Sequence, residues 1–126
     1  MKRLLTTTAI IEGATGLGLL ATPAVLARLL LGGTFDTPVA LTVARVAGTA
    51  LVALSVACWL SRQNGGALVA AMLLYNLAVV AVLIHAALVL ALSGVGLWPT
   101  IALHLTFAFW CIACLRSERP AMACKA

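Results

Sequence analysis

The segment from Ala67 to Leu92 contains no Asp, Glu, Lys or Arg over 26 consecutive positions. About 20 apolar residues in an α-helix are enough to cross the ~30 Å hydrocarbon core of a bilayer. A soluble domain covers its surface with charged side chains, but only 9% of this chain is charged and 64% is apolar. We therefore predict that lipid solvates much of the molecular surface.

Three more apolar runs accompany this segment, and polar or glycine-rich turns separate them. Glu12 interrupts the first run, which is therefore expected to be a membrane span rather than a cleaved signal peptide. The pattern predicts an all-α fold of one domain, an integral membrane four-helix transmembrane bundle with a short interfacial helix after the first span. The predicted spans are 4–20, 38–60, 67–92 and 98–115, with the short helix at 23–31 and a basic tail at 116–126.

The basic residues predict the orientation of the bundle. With four spans, one side of the membrane holds six of the eight Lys and Arg residues, which are Lys2, Arg3, Arg62, Arg116, Arg119 and Lys125. The other side holds Arg28, and Arg45 lies within the second span. Basic residues are enriched in cytoplasmic loops, so we expect a multi-pass protein of the bacterial inner membrane with both termini cytoplasmic.

Several functional classes find little support. The net charge of +5 comes from residues at the ends of apolar runs, which is typical of membrane orientation rather than of nucleic-acid binding. The sequence contains no P-loop, Gly-x-Ser-x-Gly or haem-attachment motif, and we predict no enzyme activity and no cofactor. Cys58, Cys111 and Cys114 are expected to be reduced packing residues that bind no metal, although a soft-metal site was the alternative.

A family resemblance follows from short patterns along the chain. Ala44-Arg45-Val46-Ala47-Gly48 opens the second span, which closes on Ala57-Cys58-Trp59-Leu60. Leu74-Tyr75-Asn76 lies in the third span, and Leu97-Trp98-Pro99 with His104 lies in the fourth. The chain resembles small four-helix bacterial membrane proteins of the DoxX-like type. Because some of these proteins are linked to quinone-dependent sulfur oxidation, the resemblance implies a quinone- or lipid-binding redox auxiliary as one function.

Glu12 and Arg45 are the first candidate site residues, because ionisable groups within spans are costly and are usually paired or functional. Helix geometry places them at compatible depths, with a vertical gap of roughly 8 Å. We predict that they interact inside the bundle, directly or through one water or polar group, as a structural pair or as a ligand site. The alternatives are that Arg45 extends to the membrane surface and that Glu12 is protonated against a backbone carbonyl.

Asn76 and His104 complete the candidate set. Asn76 and His85 are nine positions apart and therefore point to opposite faces of a straight helix. His104 is interpreted as a hydrogen-bonded packing residue and His85 as a residue at headgroup level. The alternative is that the two histidines bind a metal or a quinone carbonyl.

The leading functional prediction is a non-catalytic accessory subunit that packs against a larger membrane complex or against itself. It rests on the small size of the bundle, which is expected to enclose little volume, and on its many Ala and Gly residues, which favour contacts between helices. Membrane lipids and other membrane subunits are the expected partners, with no nucleic acid. The alternatives are the quinone- or lipid-binding redox auxiliary and a small transporter or soft-metal carrier.

Overall fold

A computed structural model describes the backbone of residues 1–123 and the side chains of residues 1–117. The described chain forms helices α1 (Lys2–Ala21), α2 (Pro23–Leu31), α3 (Pro38–Leu60), α4 (Gly66–Leu88) and α5 (Leu97–Ala123). All except α2 are long enough and apolar enough to cross a membrane. The prediction of an all-α chain with four helices able to span a membrane is therefore confirmed, and the short helix occupies the predicted residues.

The helix ends agree with the local sequence signals. Pro38 begins α3, and the Thr37 hydroxyl accepts a hydrogen bond from the Ala40 amide, as expected for an N-cap residue before a first-turn proline. Pro23 likewise begins α2, which ends at Gly32 in the left-handed conformation that glycine adopts without strain. These caps isolate α2 as a separate nine-residue helix.

Two boundaries differ from the prediction. Helix α4 ends at Leu88 rather than near residue 92, because the chain turns immediately after it and Ala91 takes a positive φ of 52°. Helix α5 continues to Ala123, so the first part of the predicted basic tail is helical. The side chains from residue 118 onward and the backbone of residues 124–126, including Cys124, lie outside the described part of the chain.

Helices α1 and α3 form the most extensive helix pair, and α4 and α5 form the second. Gly16 and Gly48 lie at the crossing of α1 and α3, where a Cβ atom on Gly16 would come within 2.7 Å of the Gly48 carbonyl oxygen. The Ser55 hydroxyl also donates a hydrogen bond of 2.6 Å to the Ala9 carbonyl across this pair. Small residues and hydroxyl groups join helices in this way within lipid. The contact between the first two spans, which the predicted Glu12–Arg45 interaction required, is therefore present.

The two ends of the bundle are packed differently. At the end that carries the N-terminus, called the N-terminal end, the side chains of a core cluster fill the space between the helices; they are Leu4, Leu5, Ala9, Cys58, Val69, Met72, Phe107, Cys111 and Cys114. At the opposite end, called the α2 end, α2 lies over the bundle. The Gly96 amide donates to the Leu29 carbonyl at 2.8 Å, and Gly94 packs directly on the backbone of Leu30. Helix α2 is therefore anchored to the segment that leads into α5.

The α1–α3 crossing leads to a stability prediction. Gly16→Ala places a methyl group against the α3 backbone and should lower the free energy of unfolding by ~1–3 kcal/mol, the usual cost of overpacking. Gly33→Ala is the matched control, because no atom lies within 4 Å of the added carbon, and it should change stability by less than ~0.5 kcal/mol. Reversible unfolding in mixed detergent micelles measures both values. Equal effects of the two substitutions would show that the crossing tolerates a wider separation.

Candidate functional site

A chain of polar side chains crosses the middle of the bundle from α1 through α4 to α5. The Tyr75 hydroxyl donates a hydrogen bond to Glu12 Oε2 at 3.1 Å. The Tyr75 ring meets the His104 ring edge to face, with a centroid separation of 5.8 Å. His104 Nδ1 lies 2.8 Å from Asn76 Oδ1, and the Asn76 amide donates to the Met72 carbonyl at 2.7 Å. Three of the four predicted site residues, Glu12, Asn76 and His104, therefore lie in one connected group.

Arg45 does not belong to this group. It is exposed, and it follows the buried Ala44, so its side chain is turned ~100° away from that buried position. Glu12 is 3% exposed and has Tyr75 as its partner instead. The direct Glu12–Arg45 pair predicted from the sequence is therefore wrong, because compatible depth does not ensure that two side chains face each other around their helix axes.

Tyr75 belongs to this group but was not among the site residues predicted from the sequence. It is the single tyrosine of the chain and it lies in the middle of a span. Tyrosines of membrane proteins concentrate at the interfaces, where the hydroxyl reaches water. A mid-span tyrosine therefore needs a buried hydrogen-bond partner, and this was the signal that could have paired it with Glu12.

Asn76 fixes the tautomer of His104. The Met72 carbonyl can only accept, so the Asn76 nitrogen must face it and the Asn76 oxygen must face the histidine ring. His104 Nδ1 therefore carries a proton and donates it to Asn76. In a neutral imidazole the other nitrogen, Nε2, is then a hydrogen-bond acceptor.

A cavity of about 500 Å³ opens beside these groups. Glu12, Tyr75 and His104 line it together with Thr15 and Thr100, and the remaining lining is apolar. Within residues 1–117 no fully buried polar side-chain atom lacks a hydrogen-bond partner. Glu12 Oε1 and His104 Nε2 have no such partner there, so both atoms are accessible from the cavity. The volume beside the polar group is therefore large enough for a small molecule.

The energetic balance argues against a purely structural role for Glu12. An ionisable residue at mid-membrane costs ~2.5–3.5 kcal/mol on insertion scales. A hydrogen bond between helices in a membrane contributes ~0.6 kcal/mol on average and at most ~1.7 kcal/mol. The Tyr75 bond thus offsets only part of the cost of burying Glu12.

The other predicted features lie away from the cavity. His85 is exposed on α4, whereas Asn76 on the same helix is buried, in agreement with their predicted opposite faces. Cys58, Cys111 and Cys114 are buried free thiols in the core cluster. In the part of the chain that the structure describes, no three His, Cys, Asp or Glu residues are grouped as a metal site would require.

Comparisons with protein-family models, curated proteins and solved structures gave no match. The resemblance to DoxX-like proteins therefore stays a prediction.

Proposed function

We propose that this chain is a small integral membrane protein that binds a membrane-soluble, hydroxyl-bearing ring compound of the quinol class and serves as an auxiliary to a larger membrane complex. One observation carries the proposal. Two polar atoms without a hydrogen-bond partner among residues 1–117, Glu12 Oε1 and His104 Nε2, lie at the polar end of a cavity whose remaining lining is largely apolar. Binding sites for small molecules combine these features, an apolar wall and a few oriented polar groups.

The donor and acceptor pattern distinguishes a quinol from a quinone. His104 Nε2 accepts a hydrogen bond while the Nδ1 proton is held by Asn76. Glu12 Oε1 accepts a hydrogen bond when the carboxyl group is ionised and donates one when it is protonated, so the discrimination rests on His104. A quinol presents hydroxyl donors to such atoms, whereas a quinone presents only carbonyl acceptors. The reduced form should therefore bind more tightly.

Calorimetric titration of decyl-ubiquinol, kept reduced, into nanodiscs that contain the protein tests this proposal, with empty nanodiscs as the partition control. His104→Phe keeps a ring in place but removes the acceptor, and it should raise the Kd by about tenfold, the equivalent of one hydrogen bond of ~1.4 kcal/mol. The matched control is His85→Phe, because that histidine is exposed. It should leave the Kd unchanged.

Two results would contradict the proposal. One is heat identical to that of empty nanodiscs. The other is an equal loss of affinity in His85→Phe and His104→Phe. Tighter binding of decyl-ubiquinone than of decyl-ubiquinol would contradict the assignment of acceptors at the polar end.

The surface of α3 supports the auxiliary role, which is the leading prediction from the sequence. Apart from its contact with α1, this helix packs little against the bundle. Its exposed residues include Val39, Val43, Val46 and Val56, with Ala50 and Ala53 between them. Small and β-branched residues let another helix approach closely in lipid. We infer that a partner subunit or a second copy packs on this face of α3.

Cross-linking in membranes tests the α3 face. In a background in which the four native cysteines are replaced by alanine, a cysteine at position 50 should form a disulfide-linked dimer or a mixed adduct under mild oxidation. A cysteine at position 82, which replaces an exposed valine on α4, is the control. Equal cross-linking at the two positions would indicate random collision and would remove this support.

We also infer that the protein lies in the inner membrane with both termini cytoplasmic and with α2 at the opposite interface. The placement of six basic residues on one side supports this orientation. In the same cysteine-free background, a cysteine at position 34 should react with an impermeant maleimide applied to spheroplasts, and a cysteine at position 64 should react only after lysis. The reverse pattern would invert the topology.

A further inference from the structure

The cavity does not end at its polar groups. A second cavity of about 160 Å³ adjoins it at the α2 end and shares five lining residues with it, Leu19, Leu26, Leu30, Leu83 and Thr100. Its other lining residues are Ala27, Leu31, Phe35 and Leu97, so its wall is apolar except for Thr100. We call this second space the tail cavity.

Helix α2 roofs the tail cavity. Leu26, Ala27 and Leu30 line it, while Ala24 and Arg28 lie on the exposed face of the same helix. The hydrogen bond from Gly96 to Leu29 and the packing of Gly94 on Leu30 hold this roof in place. The space is therefore a built part of the fold rather than a gap beneath a loose segment.

The size and lining of the tail cavity indicate what can occupy it. Apolar cavities of ~150 Å³ stay dry and take up apolar molecules, because a water molecule there would lose its hydrogen bonds. The tail cavity offers no charged group and adjoins the larger cavity along the five shared lining residues. A ligand bound at the polar end can fill it only with an apolar extension of its own.

The length of that extension follows from helix geometry. Leu97 precedes His104 by seven residues, and Leu19 follows Glu12 by seven, which corresponds to ~10 Å along each helix. An extended chain advances ~1.2 Å per bond, one third of the span of an extended residue. An apolar chain of about eight to nine carbons therefore reaches from the polar end to the far wall of the tail cavity.

We propose that the ligand of this protein carries a single apolar chain, and that the chain lies in the tail cavity beneath α2 while the head group lies against Glu12, Tyr75 and His104. This inference rests on the proposed function and adds the orientation of the ligand and the residues that select its tail. Tailed quinols and single-chain glycerides both have a hydroxyl-bearing head and one apolar chain. Competition between unlabelled compounds of the two classes for a labelled probe distinguishes these two sources.

Photolabelling determines the orientation directly. One probe is a decyl-ubiquinol with a diazirine on the last carbon of the tail, and the other carries the diazirine next to the ring. In nanodiscs, the tail probe should label residues 26–35 and Leu97, and the ring probe should label Glu12, Tyr75 or His104. Excess unlabelled decyl-ubiquinol should displace both labels. Displacement by monodecanoylglycerol but not by decyl-ubiquinol would reassign the tailed ligand to the glycerides.

A substitution inside the tail cavity gives the second measurement. Ala27→Leu fills part of this space without touching the polar end, so it should raise the Kd of decyl-ubiquinol about tenfold and leave that of the tail-less dimethoxy-methyl-hydroquinone unchanged. Ala24→Leu adds the same side chain to the exposed face of α2 and should change neither value.

The outcomes separate the two proposals. Displaceable ring labelling with tail labels at residues 1–9 or 111–117 would overturn the tail assignment and leave the proposed function standing. An equal loss of both ligands in Ala27→Leu would also overturn the tail assignment. If neither probe gives displaceable labelling, the proposed function and this inference are both overturned.

Discussion

The close approach of α1 and α3 at Gly16 and Gly48 is the contact on which the rest of the bundle depends. It places two backbones against each other and leaves no room for a side chain between them. One face of α1 therefore packs against α3. Glu12 is directed instead toward α4, where the Tyr75 hydroxyl is within hydrogen-bond reach.

The filled and hollow halves of the bundle follow from the same sequence. At the N-terminal end, Leu, Met, Phe and Cys side chains meet in one core cluster. Toward the α2 end, a smaller core cluster of Val80, Leu97 and Ile101 lies near Thr15 and Thr100, and part of the cover comes from the short helix α2. Glu12 and His104 lower the stability of the bundle in lipid. A purely structural bundle would be more stable with apolar side chains at these two positions.

The sequence was sufficient for the elements of the fold but not for the site. Long apolar runs and the signals at Pro23, Gly32 and Pro38 predicted every helix that the structure describes, because these signals are local. The ends of α4 and α5 were less predictable, since the turn after Leu88 depends on where α2 and the entry to α5 meet. Glu12, Asn76 and His104 were selected because polar groups in spans are rare, and the structure brings these three residues together. Their hydrogen-bond partners depend on how each helix is rotated about its axis, and depth along the membrane normal does not specify that rotation. For that reason Arg45 was predicted to be the partner of Glu12, although the partner is Tyr75.

Tyr75 and Asn76 are consecutive residues, and they point ~100° apart around α4. One is hydrogen-bonded to α1 through Glu12, and the other is hydrogen-bonded to α5 through His104. Rotation of helix α4 about its own axis would therefore disturb both bonds together. The two neighbouring side chains therefore link α1 and α5 through one turn of α4 at the polar end of the cavity.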